Sequence, residues 1–150
     1  MICSMDNGWT EAATTTHQDH VIAHVIDTTV LGYLVLEDAI HLLLDIGFIW
    51  KIYVDAEMGL LPHPVAMAEL EVEAELLTQL KVDVDLLLKG GGARGLARFT
   101  PIRDSFPITA AQPFVRGDEY KLLLEGETQM IQITTSMKEA SFEVTEGPKS

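Results

Sequence analysis

The chain has 150 residues, 47% of them hydrophobic and 22% charged, with a formal net charge of −13. That length suits one domain, which typically buries about 70% of the surface its unfolded chain exposes, and the composition excludes the low-hydrophobicity, high-charge pattern of disorder. A surface this acidic repels phosphate backbones and anionic lipid, so nucleic acid and membranes are disfavoured as partners, while cations and basic protein faces are favoured.

The charge is uneven along the chain. Residues 1–75 carry 13 acids against one base, a net of −12, whereas residues 76–150 carry 10 acids against 9 bases, a net of −1. The single cysteine, Cys3, can form no disulfide within the chain, and Met1–Asn7 lacks the basic start and apolar run of a signal peptide. A cytoplasmic protein is expected.

Residues 1–18 show no sustained period and read as a mobile N-terminal arm, with residues 19–146 forming a single domain and residues 147–150 a frayed tail. From Val21 to Val54 apolar and β-branched residues dominate, interrupted by Asp27, Glu37, Asp38, Asp45 and Lys51. No uncharged run there reaches the roughly 18 residues needed to cross a bilayer. The interruptions fall at strand spacing, which predicts strands over His20–Ile26, Val30–Leu36, Ala39–Leu44 and Phe48–Val54 in a meander.

Leu60-Leu61-Pro62-His63-Pro64 reads as a rigid connector, because its prolines fix φ. Val65–Val72 is ambiguous between strand and helix. Beyond it Leu76, Leu77, Leu80, Val84, Leu87 and Leu88 share one helical stripe, with Asp83, Asp85 and Lys89 among the residues set opposite, so a helix is expected over 73–89. Gly90 is its expected left-handed cap. Residues 90–118, rich in Gly and Pro, read as a long loop or an edge segment packed over the core by Phe99, Phe106 and Phe114. Strands resume over Glu119–Leu124, Thr128–Thr135 and Ser141–Thr145. The order predicts an α+β domain of mainly antiparallel sheet, about seven or eight strands in two meanders, with one principal amphipathic helix.

Three groups of residues carry candidate chemistry. His17, His20 and His24, with Asp27 close behind, would share a face on a helix and could hold Zn or Fe, although on a strand only His20 and His24 stay together. His41 and His63 would join them only if the fold brought them near. Arg94, Arg98 and Arg103 follow the glycine run 90–92 and form the one basic island, suited to an anionic ligand, but the run follows a helix and lacks the Lys-Ser/Thr ending of a phosphate-binding loop. Asp45, Asp55 and Glu57 sit where strand ends want polar turn residues, which accounts for them without catalysis.

Hydrophobic residues on both faces of the expected strands exceed what one helix covers, so self-association into a homo-oligomer is expected. The function expected from these features is a non-catalytic binding or regulatory module that engages a basic protein partner or a small ligand. The alternative is a metal-binding protein or metal-dependent enzyme built on His20 and His24.

Overall fold

The computed structural model describes residues 8–36, 39–55, 59–66, 72–89, 98–136 and 142–148, with side chains at 17, 36, 54–55 and 59–66 excepted. Ten strands and two helices occur among them: β1 Thr10–Glu11, α1 Thr16–Val25, β2 Val30–Leu36, β3 Ala39–Leu44, β4 Phe48–Asp55, β5 Gly59–Ala66, α2 Ala74–Leu88, β6 Thr100–Pro101, β7 Ala110–Arg116, β8 Glu119–Glu125, β9 Gln129–Ser136 and β10 Phe142–Pro148. Every strand pair is antiparallel. The α+β class and the principal helix agree with the sequence.

The strands form two five-stranded sheets, an inner sheet of order β5-β4-β3-β2-β6 and an outer sheet of order β1-β7-β8-β9-β10. Ile40, Leu42, Leu44, Trp50 and Ile52 of the inner sheet meet Leu122, Leu124, Ile131 and Ile133 of the outer one in a single buried cluster, which Val21 and Val25 of α1 join. On the other face of the inner sheet, Leu43 and Ile49 pack with Leu80, Val84 and Leu87 of α2 and with Phe99. The layers are therefore helix, sheet, sheet. Much of the apolar surface behind the expectation of self-association is covered in this way, whereas Val35, Ile46 and Phe48 remain exposed.

Strand β3 reads Ala-Ile-His-Leu-Leu-Leu, and all six residues are buried. A strand sealed on both faces has no solvated side to fill with polar residues, which is why its sequence runs continuously apolar. Gly32 of β2 shows how closely α2 approaches: an added Cβ would stand 3.0 Å from Leu87 Cδ1 and 3.0 Å from the Thr100 carbonyl oxygen.

Several elements differ from the sequence expectation. His20–Ile26, expected as a strand, lies largely in α1, and the expected boundary between arm and domain falls inside that helix. Thr15 caps it: its side-chain oxygen accepts the Gln18 N–H at 3.1 Å, while Gln18 Oε1 accepts the Thr15 N–H at 2.9 Å. This capping box fixes the first turn, and burial of Gln18, Val21 and Val25 at helical spacing outweighs the strand preference of the β-branched residues.

The expected connector 60–64 is part of strand β5. Pro62 and Pro64 stand opposite Ile52 and Trp50, so both nitrogens lie on the same side of the strand. The ladder to β4 tolerates them because that side is the free edge. The expected loop 90–118 contains β7, which pairs with β8 along its whole length. Pro113 is accommodated there because its carbonyl accepts the Ala12 N–H at 2.9 Å, placing its nitrogen on the side away from β8. Phe99 is buried under α2 and Phe106 packs against the inter-sheet core, whereas Phe114 lies opposite Lys121 on the outer face of the outer sheet. Lys89 occupies the C-cap of α2 in a right-handed conformation, and Gly90, the expected left-handed residue after it, lies outside the described residues.

Candidate functional site

On α1, His20 and His24 are exposed one turn apart, while Gln18, Val21 and Val25 on the opposite side are buried. His17 occupies the preceding turn of the same helix. Asp27, just past the helix, is exposed and holds φ at 74°, a conformation that a short polar side chain tolerates, and its N–H donates to the Ile108 carbonyl at 2.8 Å. Among the described residues no three His, Cys, Asp or Glu side chains gather into a metal-holding group. His20 and His24 therefore stand as a helical pair.

His41 lies elsewhere. It faces α2 on the inner sheet, opposite Lys51 of β4, and His63 occupies the next position of the same cross-strand row in β5. The inner sheet separates this row from α1, whose apolar residues belong to the inter-sheet core. His41 is 5% exposed, and its Nδ1 has no hydrogen-bond partner among the described residues. Burial first, and the Lys51 ammonium second, hold its imidazole below the usual histidine value, while the Leu34 and Ala39 backbone acts to keep it protonated.

The arginines of the basic island have separate neighbours. The Arg98 Nε donates to Gln79 Oε1 at 2.8 Å. The backbone N–H groups of Arg98 and Phe99 donate to one carboxylate oxygen of Asp83, at 2.7 and 2.8 Å. Asp83 is fully buried in α2, and these bonds pin the chain entering β6 to the helix. Arg103 is exposed, and its backbone N–H donates to Glu146 Oε1 of β10 at 3.0 Å. Arg94 lies outside the described residues, as do Glu57 and Cys3. Asp45 sits in the β3–β4 turn, where its side chain accepts the Thr29 N–H at 3.1 Å and its own N–H donates to the Thr29 carbonyl at 2.9 Å.

Three features escaped the sequence reading. Asp83 is on the buried side of α2 and not opposite it; its place three residues after Leu80 and four before Leu87 is the signal that shows this. The pairing of His41 with Lys51 requires the strand register, which one sequence does not supply. On the outer sheet, the Arg116 guanidinium lies 4.4 Å from the Trp9 ring centre, and the Lys121 ammonium lies 4.8 Å from Trp9 and 5.0 Å from Phe114. Arg116 also pairs with Glu119 at 2.9 Å. The basic side chains of this stack are thereby engaged within the chain, as Lys89 is with Asp85 at 3.1 Å.

Searches against family models, curated proteins and solved structures find no match to the chain. No helix of the described residues is long and apolar enough to cross a membrane.

Proposed function

We propose that the chain is a non-catalytic binding module of the cytoplasm that engages a basic protein surface. The observation that carries this reading is the asymmetry of its exposed charge. Arg98, Arg116, Lys121 and Lys89 are engaged with the chain's own residues, and among the described residues Lys81 and Arg103 are the other exposed bases, set against a larger number of exposed acids. Asp27, Glu73, Glu75, Glu127 and Glu143 are exposed, in a chain whose net charge is −13. Such a field steers a cationic partner over about one Debye length, roughly 10 Å at 0.1 M salt. The test is titration with a folded basic protein, cytochrome c, at low and high salt. Association at low salt that disappears at high salt is expected; no association at low salt contradicts the reading.

A second reading is favoured by the helical form of α1. His20 and His24, with His17 a turn earlier and Asp27 beyond, are placed as a helix places a pair of imidazole ligands for Zn or Fe. Calorimetric titration of chelator-treated protein with Zn²⁺ is expected to show one site that the H20A/H24A variant loses. Absence of heat in the parent protein removes this reading.

A further inference from the structure

The four edges of the two sheets are finished differently. At one edge of the inner sheet, β5 carries Pro62 and Pro64 with their nitrogens outward, which removes two donors that a visiting strand needs. At the other edge β6 is two residues long, as is β1 at one edge of the outer sheet. The remaining edge is β10, seven residues long and paired to β9 throughout, with no further strand beyond it among the described residues. Its sequence, Phe-Glu-Val-Thr-Glu-Gly-Pro, places a proline only at the last position. A strand of this length left open is a template for another chain.

We infer that the β10 edge receives an extended segment of a basic partner, added as a sixth strand to the outer sheet. This rests on the proposed function and gives it a place and a partner conformation. The charge selects the occupant. Strand β10 holds Glu143 and Glu146 and no base, so a second copy of the chain would lay two acidic strands side by side, between molecules that each carry −13. Arg103 meets Glu146 through its backbone N–H, and Glu143 remains exposed on the outer face with Thr145. Phe142 and Val144 turn the other way, half-buried against the inter-sheet core. A strand laid beside β10 therefore meets Glu143 and Thr145 on the outer face and Phe142, Val144 and Glu146 on the inner one, so the segment that fits carries Lys or Arg opposite the two acids and Val or Ile opposite Phe142 and Val144.

The experiment uses the full chain with two probes: a blocked peptide of alternating Lys and Val, and folded cytochrome c, which offers charge without a free strand. Residue-resolved hydrogen exchange and amide shifts are followed on isotope-labelled protein. The peptide is expected to slow exchange in β10 by roughly tenfold or more at saturation, and E143K/T145K, both exposed positions, to weaken it by about fivefold or more, while T78K, at an exposed position of α2, leaves that protection in place. Peptide shifts centred away from β10, or β10 protection that rises with protein concentration without peptide, as self-pairing would give, overturn the inference but leave the proposed function standing. If neither probe associates at low salt, both fall.

Discussion

The two sheets of this molecule teach opposite lessons about how sequence records burial. The inner sheet is covered by α2 on one face and by the outer sheet on the other, and its β3 shows six consecutive buried residues. The outer sheet packs on the inner sheet through one face, and among the described residues no helix or strand covers the other. In β8 and β9 the buried positions alternate: Leu122 and Leu124, then Ile131, Ile133 and Thr135, with Lys121, Leu123, Gln132 and Thr134 between them. A continuous apolar run marks a sealed strand, and a period of two marks a half-solvated one. Polar chemistry follows the same division, because a polar group in the sealed sheet has few partners to choose from. His41 Nδ1 and Trp50 Nε1 are buried there with no hydrogen-bond partner among the described residues, whereas the outer sheet carries the stack of Trp9, Arg116 and Lys121 on its outer face.

The contrast can be broken most severely at its helix-facing side. Leu80 is completely buried between α2 and the inner sheet. L80A is expected to destabilise the fold by about 2–5 kcal/mol, and L123A on the open face of the outer sheet by less than about 1 kcal/mol, as measured by urea unfolding. Equal losses at the two sites would mean that the two sheets are not covered differently.

D83A is expected to cost about 3 kcal/mol, since it leaves two backbone N–H groups without their charged acceptor. Asparagine at the same position retains one acceptor oxygen, so D83N should cost less than D83A in the same measurement.

The effect at His41 is smaller and depends on pH. The unfolded imidazole titrates at 6.5 and the folded one below that. Between these values the unfolded chain holds more protons, so stability is full above pH 6.5 and is lost as the pH falls through the folded pKa, with a slope of at most about 1.4 kcal/mol per pH unit. Melting followed from pH 7.5 downward should show this slope in the parent protein and a flatter profile in H41L. An unchanged profile in the variant would assign the slope to other groups.

The smallest expected effect lies in the aromatic stack. Loss of Trp9 as W9A should cost about 1 kcal/mol or less, the usual scale of an exposed cation–π contact, and should leave the fluorescence of buried Trp50 unquenched by iodide. Exposure of Trp50 in that variant would show that the stack supports the inter-sheet core.

Much of this fold is legible in the sequence. The runs Val30–Leu36, Ala39–Leu44 and Phe48–Val54 appear as β2, β3 and β4, and the leucine stripe as α2, because each carries its own period and its own polar turn. The failures share a cause. Prolines in β5 and β7 read as breakers, since their tolerance depends on which side of the strand is an edge, and edge status is a property of the sheet. The stretch His20–Ile26 suggests a strand through its β-branched residues, whereas the Thr15–Gln18 cap, whose effect is local and visible in the sequence, starts a helix through most of it. The candidate residues follow the same rule: His20 and His24 need only the helix to become a pair, whereas the His41–Lys51 row and the edge position of β10 among the described strands come from register and strand order, which no single segment encodes.

Among the described residues the inner sheet is packed on both faces and the outer sheet on one. Residue-resolved hydrogen exchange on the free chain tests it most directly. The amides of β3 and β4 are expected to exchange only through global unfolding, slower than those of β7 to β10, with β10 the fastest of the long strands in the outer sheet. Exchange in β3 and β4 that matches or exceeds the rate in β8 and β9 would contradict the layered arrangement and the assignment of β10 as the open edge.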